Sequence, residues 1–190
     1  MTDRSFHHGN LRLVLLEAAA DTLREQGLDG LSLRELARGA GVSHAAPRRH
    51  FPDRQALLDA LAVDGFERLT GLIVEAGHED GRPYPQRFAA VARVFVNFAT
   101  DEAALLELMF TTKSARQVPE LDDAAGAFFQ AIGTFYASAP GRTGRTSADE
   151  QRLRRLLVAT LQGIATLAAG GRIDAAEVEQ LIEDATAIFA

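Results

Sequence analysis

Apolar residues recur at spacings of three and four along almost every segment of the 190-residue chain, and this periodicity constrains the fold more than any other feature. No segment shows a convincing alternation of apolar and polar residues. The pattern predicts an all-α protein of about nine helices. Short helices are expected over residues 8–54 and longer ones over 55–190, so the chain divides into a small N-terminal domain and a larger helical domain.

The composition excludes several classes of protein. Hydrophobic residues make up 47% of the chain and charged residues 24%, as in ordinary globular proteins. Cysteine is missing, which excludes disulfides, thiol nucleophiles and thiolate metal sites. Residues 2–5 are polar where a signal peptide would begin, and no apolar stretch approaches the ~20 residues of a membrane helix. We therefore expect a cytoplasmic protein with no membrane partner.

Charge is distributed unevenly along the chain. The formal net charge is −6, which taken alone argues weakly against binding to nucleic acid. Residues 33–54, however, hold five arginines against two acids, a local charge of +3. Screening over ~8 Å at physiological salt lets this segment act through its local charge rather than the total.

Residues 33–51 carry the pattern of a helix-turn-helix. Ala37 is small enough for two helices to cross closely, and Val42 can fill the space between them. Gly41 can adopt the left-handed conformation that a tight turn requires. Ser43 is placed to cap the following helix. An ordinary pair of short helices is the alternative, but the agreement of turn, caps and charge favours a DNA-binding unit.

Capping patterns give the boundaries of the helices in this region. Ser32 and Glu35 match a capping box, in which each side chain accepts from a free backbone N–H. Ser43 predicts a third helix that extends to about Phe51, and Asp53 can cap a fourth, long helix.

The predicted third helix is expected to lie in the major groove, with its N-terminal end facing base edges and phosphates. Arginine can bond guanine bidentately, although contact with phosphate is at least as frequent for any one arginine. His50 is expected to pack at the end of this helix rather than bind a metal, and Phe51 to belong to the core. The candidate DNA-binding residues are Ser32, Arg34, Ser43, His44, Ala45, Arg48, Arg49 and His50.

The N-terminal third of the chain resembles the TetR family of transcriptional regulators. The residues that carry the resemblance are His7–Arg12, Ala18-Ala19, Gly27, Leu31–Ala37, Ala40–Ser43, His50-Phe51, Asp53 and Leu57-Leu58. The resemblance implies a helix-turn-helix DNA-binding domain, a ligand-sensing C-terminal domain and a repressor that a small molecule releases from a palindromic operator. Arg48 departs from the family pattern, which usually has a tyrosine that reaches a phosphate at this position.

Phenylalanines concentrate in the second domain, where they suggest either a core or an apolar cavity for an effector. Core packing is the favoured interpretation for any single one. The group as a whole could line a ligand site, and the candidates are Phe66, Phe95, Phe98, Phe110 and Phe128.

The last two helices, near residues 147–170 and 174–189, carry apolar stripes long enough to face a second copy of the chain. The family resemblance implies a homodimer through these helices, which would form a four-helix bundle. We place Leu157 and Leu181 in this interface. The alternative is that both stripes face their own domain.

Two other classes of function compete with a regulator. An enzyme is disfavoured because the sequence has no nucleophile elbow, phosphate loop, dinucleotide fingerprint or His-Glu-x-x-His motif. For the same reason no cofactor and no metal ion is expected. A helical adaptor that binds only protein would leave the surface of residues 33–51 unused.

Overall fold

The computed structural model describes residues 11–111, 118–140 and 147–190, and over these ranges all regular secondary structure is helical. Two short 3-10 helices, Leu28–Gly30 and Pro47–Arg49, accompany the α helices. The α helices are α1 (Leu11–Gln26), α2 (Leu33–Gly39), α3 (Arg54–Ala76), α4 (Tyr84–Asp101), α5 (Ala103–Thr111), α6 (Pro119–Ala137), α7 (Ser147–Ala169) and α8 (Ala175–Phe189). The all-α prediction is confirmed, with eight α helices described where about nine were expected. In these ranges, no helix has the length and hydropathy needed to cross a bilayer.

The chain forms two compact units. The N-terminal unit comprises the described residues up to Asp64 and those of Ala104–Val118. The C-terminal unit comprises Gly65–Ala103 and the described part of Pro119–Ala190. Helix α3 contributes residues to both. The sequence predicts a boundary between residues 54 and 55, with DNA binding before it and ligand sensing and dimerisation after it. These two roles stay predictions.

In the N-terminal unit, α1 packs against α2 and against both 3-10 helices. The core includes Leu15, Leu23 and Phe51, all of which are fully buried, so the prediction that Phe51 belongs to the core is confirmed. The predicted cap at Asp53 is also confirmed, because its carboxylate accepts from the backbone N–H of Ala56 at 2.9 Å. This bond satisfies one of the free donors at the start of α3.

The predicted third α helix, Ser43–Phe51, does not form. A turn is followed by the 3-10 helix at Pro47–Arg49, and the backbone N–H of Ala46 donates to the carbonyl of Ser43. The cause is Pro47, which has no N–H to donate to that carbonyl and whose ring would clash with it in an α helix. The prediction of a regular helix here was wrong because it gave the proline too little weight.

The predicted capping box at Ser32 and Glu35 does not form either. Ser32 occupies the N-cap position of α2, but its side chain makes no capping hydrogen bond. Glu35 instead pairs with Arg38, three residues further along the same helix. An acid and a base three residues apart are neighbours on a helix surface, so Glu35 has a nearer charged partner than the free end of the backbone.

The C-terminal unit is built around α4, which packs against α7 and α8, while α6 packs against α7. Its core is rich in aromatic rings. Phe88 stacks near Phe189 with a centroid separation of 6.4 Å, and Tyr84 stacks on Phe135 at 5.2 Å. Rings at these distances contribute beyond the area that they bury.

Candidate nucleic-acid interface

The turn between α2 and the following segment has the geometry of a helix C-terminal cap. Gly41 has φ 66°, which confirms the predicted left-handed conformation. The N–H of Val42 donates to the carbonyl of Ala37 at 3.0 Å, and that of Gly41 to the carbonyl of Arg38 at 3.2 Å. This pair of bonds is a Schellman motif, which satisfies the last carbonyls of α2 and turns the chain sharply.

All eight predicted DNA-binding residues lie in the N-terminal unit. Ser32 is half-buried, and the other seven are exposed. Pro47 lies between Ala45 and Arg48 in the sequence, and it is buried, which holds this segment in place. Arg48 and Arg49 are therefore accessible, as a contact with DNA requires. His50 is exposed at the end of the 3-10 helix, rather than packed as predicted.

The five arginines of residues 33–54 differ in what they bind. Arg38 pairs with Glu35, and Arg54 donates from Nε to the carbonyl of Leu31 at 3.2 Å. No described residue forms an ion pair or hydrogen bond with the side chains of the other three: Arg34, Arg48 and Arg49. These three side chains carry charge that is available to a partner such as a phosphate.

Arg12 is a candidate that the patterns in the sequence did not single out. Its guanidinium lies 5.5 Å from the centroid of the Phe51 ring, within the range of a cation–π contact. Because Phe51 ends the segment that begins at Ser43, Arg12 adds a fourth cation to this side of the N-terminal unit. The available signal was its place at the end of the His7–Arg12 motif.

The predicted effector phenylalanines fall into different places. Phe66, Phe95 and Phe128 form one buried cluster, with ring centroids 5.7 Å apart for Phe66 and Phe128 and 6.5 Å apart for Phe95 and Phe128. Phe98 is buried beside Arg68, whose guanidinium lies 5.6 Å from its ring. Phe110 is half-buried and belongs to the N-terminal unit. The structure thus brings three of the five together ring to ring, and their role in binding an effector stays a prediction.

The apolar stripes of α7 and α8 split between the interior and the surface. Leu157 is only 2% exposed, so placing it in an interface was wrong, since its side chain packs within its own unit. Leu181 is half-buried. The exposed apolar residues are Leu156, Leu167 and Ile188, the last of which is 75% exposed.

No group of three or more metal-ligating side chains occurs among the residues that the structure describes.

Two family models match the chain. One, described as bacterial regulatory proteins of the tetR family, matches residues 15–61. The other, described as the tetracyclin repressor-like C-terminal domain, matches residues 88–189, more than half of the chain.

The chain belongs to the TetR family. The predicted family is therefore confirmed, and the N-terminal match contains the Gly41 turn together with Arg34, Arg48 and Arg49.

Curated relatives match over part of the chain. The tetracycline repressor protein class A from transposon 1721 of Escherichia coli is 50% identical over 48 residues, which is 25% of this chain and 22% of that protein. An HTH-type transcriptional regulator of Mycobacterium tuberculosis is 26% identical over 123 residues, covering 64% of this chain and 53% of its own length. The chain thus spans about a fifth to a half of the length of these TetR relatives.

Solved structures match over nearly the whole chain. A protein of unknown function from Rhodococcus sp. RHA1 is 44% identical, with a TM-score of 0.84, covering 98% of this chain and 97% of its own. A transcriptional regulator from the same source is 22% identical, with a TM-score of 0.74 and coverage of 94% and 95%. The second likeness shows the fold alone. Both matches include residues of each of the two units.

Proposed function

We propose that this TetR-family protein is a sequence-specific DNA-binding transcriptional regulator, a repressor that leaves its operator when a small apolar molecule binds. The observation that carries the proposal is a set of exposed arginines on either side of the tight turn at Gly41, for which the described residues offer no partner: Arg34, Arg48 and Arg49. Bound to phosphates, these side chains would release condensed counterions, which is the main source of affinity for DNA. The protein is proposed to act without enzymatic activity and in the cytoplasm, where operator DNA is found.

The DNA contacts are assigned to side chains of residues 43–51, with Ser32 and Arg34 beside them. Ser43, His44 and Ala45 occupy the start of the segment, where base edges would be approached. Arg48 takes the place of the family's usual tyrosine, and its longer cationic side chain supplies a phosphate contact. Arg49 and His50 extend the same exposed edge.

The proposed active form is a homodimer through α7 and α8. Leu156 and Leu167 are exposed on α7, and Ile188 is exposed on α8. Gly163 lies between the two leucines, and a Cβ built there meets no atom within 4 Å, so a partner helix can approach closely. Two copies would bury these faces in a four-helix bundle, and two-fold symmetry would match a palindromic operator with half-sites ~34 Å or a multiple apart.

Release from DNA requires an effector that binds the non-binding conformation more tightly, since equal affinity for both shifts nothing. The proposed route is α3, which has residues in both units. Of the predicted effector residues, those of the C-terminal unit remain part of the proposal: Phe66, Phe95, Phe98 and Phe128. The three clustered rings among them would have to separate to admit an apolar ligand.

The proposal is tested by a gel-shift assay and footprinting on the DNA that flanks the protein's own gene. We expect footprinting to show a protected palindrome. Unlabelled DNA with this palindrome should compete for binding, whereas an equal mass of unrelated DNA should not. No binding at low salt to any flanking fragment would overturn the proposal and favour an adaptor that binds only protein.

The dimer is tested separately by sedimentation of the double variant Leu156→Glu/Ile188→Glu. Both side chains are exposed in the protomer, so the fold should survive while the assembly dissociates. The matched control, Val74→Glu, adds a charge at an exposed apolar position on α3. A dimer that persists in the double variant would show that the interface lies elsewhere.

A further inference from the structure

An open groove of about 500 Å³ lies in the C-terminal unit, and its lining includes none of the phenylalanines predicted to bind an effector. Its walls are mainly apolar, formed by Ile73 and Val74 of α3, Ala131 and Phe135 of α6, and neighbouring residues. Two charged side chains also line it, Arg87 of α4 and Glu79 of the segment between α3 and α4. A volume of this size suits a small molecule.

Arg87 is the unusual member of this lining. It is only 6% exposed, although arginine is rarely buried unless it is paired. Its Nη1 donates to the carbonyl of Gly77 at 3.0 Å, whereas its Nε is buried and has no hydrogen-bond partner in the described part of the chain. The guanidinium lies 5.6 Å from the ring of Tyr84 and 6.0 Å from that of Phe135. The side chain is thus held in place by one hydrogen bond and two rings.

No carboxylate among the described residues forms an ion pair with Arg87. A buried charge without a counter-ion is costly. Within residues 11–111, 118–140 and 147–190, one of the five N–H donors of this guanidinium has an acceptor. An anion from outside the chain would therefore remove a cost that the protein alone leaves unmet.

The acids nearest in sequence do not meet this need. Asp80 is engaged by Arg82, whose Nε lies 2.8 Å from its Oδ2, and these hydrogen bonds hold the pKa of Asp80 below its ordinary value. Glu79 lines the groove but is exposed, and it forms no ion pair with Arg87. The groove is thus lined by one cation, Arg87, and one acid, Glu79. Because Glu79 would repel a second negative charge, this lining suits a ligand with one negative charge better than a doubly charged anion such as phosphate.

We propose that this groove binds a small monocarboxylate with an apolar body. Arg87 receives the carboxylate, since a guanidinium and a carboxylate match in geometry and their charge-assisted hydrogen bonds are strong. The apolar part of the ligand covers Val74, Ala131 and Phe135. The inference rests on the proposed function only in taking this molecule to be the effector that releases DNA, bound in the groove instead of at the phenylalanine cluster. The binding site itself depends only on the groove and on Arg87.

Calorimetry and thermal shift on the full chain test the chemistry of the ligand. The probes are butanoate, hexanoate, octanoate and decanoate, each compared with its primary amide and with the amine of equal chain length. We expect carboxylates to bind and to raise Tm, with affinity increasing with chain length as more apolar surface is covered. Amides should bind about tenfold more weakly, because they carry no negative charge and offer a single acceptor oxygen to the guanidinium. Amines should not bind, because an ammonium is repelled by Arg87. The proposal is overturned if no acid binds more tightly than its amide.

Variants locate the site. Arg87→Gln should weaken octanoate binding about tenfold or more, whereas Arg93→Gln, the same change on the exposed side of α4, should leave it unchanged. If Arg87→Gln does not fold, two exposed positions decide: Glu79→Gln should tighten binding about twofold by removing repulsion, and Val74→Glu should weaken it. Unchanged affinity in both exposed variants would place the carboxylate elsewhere and overturn the assignment.

Operator binding without acid is measured on the same preparations, which separates the two proposals. If DNA is not bound while octanoate binding depends on Glu79 and Arg87, the regulator proposal fails and the carboxylate site stands. If DNA is bound but acids bind no better than amides, the site fails and the regulator proposal stands. When both hold, octanoate should lower operator affinity in the unaltered protein and in Arg93→Gln, and less so in Val74→Glu.

Discussion

Arginine has different surroundings in the two units. In the N-terminal unit, Arg34, Arg48 and Arg49 are exposed and have no partner among the described residues. In the C-terminal unit, Arg68 pairs with the buried Glu102 at 2.8 Å, and Arg93 pairs with Glu179 at 2.7 Å. Three arginines of the first unit thus remain available to an external polyanion, whereas Arg68 and Arg93 of the second are engaged in internal ion pairs.

This difference indicates where binding energy is available for an external polyanion. An arginine already paired with a carboxylate must break that pair before it meets a phosphate, and its net charge contribution is cancelled by the neighbouring acid. The local charge of +3 in residues 33–54 counts all five arginines equally, whereas the structure shows that Arg38 and Arg54 already have partners.

The largest expected effect comes from Arg48→Ala/Arg49→Ala. Operator affinity should fall by about tenfold to hundredfold, and the log–log dependence of affinity on salt should flatten by about 0.9 for each phosphate that is no longer neutralised. The free energy of unfolding should change by less than about 0.5 kcal/mol, because both side chains are exposed and unpaired. Fluorescence anisotropy across a salt series measures the first effect, and urea denaturation the second.

The control for that pair is Arg82→Ala/Arg172→Ala, which removes the same charge from exposed positions of the C-terminal unit. It should leave both the affinity and the slope unchanged. An equal loss of affinity in the control would mean that net charge, rather than these two arginines, determines binding.

A second, smaller effect is expected at Arg68. Arg68→Ala removes the partner of Glu102, which is 8% exposed, and takes a cation from the ring of Phe98. Removing an ion-pair partner of a buried carboxylate is costly, but Arg68 is itself 42% exposed, so we expect stability to fall by about 2 kcal/mol. Chemical denaturation measures it, and operator affinity of the folded protein should stay unchanged. A decrease below about 0.5 kcal/mol would show that water replaces the arginine.

The positions of Arg48 and Arg49 depend on the turn at Gly41. Gly41→Ala should cost about 1 kcal/mol of stability, because the φ of 66° at this position disfavours a Cβ. Gly39→Ala is the matched control: a Cβ there also meets open space, but its φ is not positive, so the change should be neutral or slightly stabilising. Thermal unfolding of the two variants compares them. Equal Tm values would argue against a strained turn.

The smallest effect is expected at the surface pair of Arg93 and Glu179. Both side chains are close to half exposed, and such pairs contribute about 0–1 kcal/mol. Arg93→Ala should therefore lower stability by less than about 0.5 kcal/mol, and less at high salt than at low salt. A decrease comparable with that of Arg68→Ala would remove the distinction between structural and surface arginines within the C-terminal unit.

Local sequence patterns predicted those features that depend on one residue's own chemistry. Gly41 and Asp53 behave as predicted, because a left-handed turn and a carboxylate cap need only a suitable residue and a free backbone group. The predictions at Ser32 and Pro47 were wrong because two local preferences compete there. Glu35 pairs with Arg38 instead of the backbone at Ser32. Ser43 favours the start of a helix, but Pro47 has no N–H to donate to the Ser43 carbonyl, so an α helix does not form.

Features that depend on packing were harder to predict. Leu156 and Leu157 are adjacent and equally apolar, yet one is exposed and the other is buried, because their directions on α7 differ by about 100°. Arg87 lies three residues after Tyr84 and four before Val91, both buried, which places it on the inner face of α4. That spacing was available in the sequence, but only the structure shows that no acid among the described residues pairs with the arginine.

The 3-10 helix at Pro47–Arg49 has a thermodynamic consequence for a protein that reads DNA with this segment. Bonds between residues three apart have poorer geometry than those of an α helix, so fixing residues 43–51 against a duplex would cost backbone entropy. Recognition would then be accompanied by a favourable enthalpy offset by an unfavourable entropy, as in complexes where ordering accompanies association. Pro47, which prevents the regular helix, also limits this cost, because its ring fixes one backbone angle before the duplex arrives.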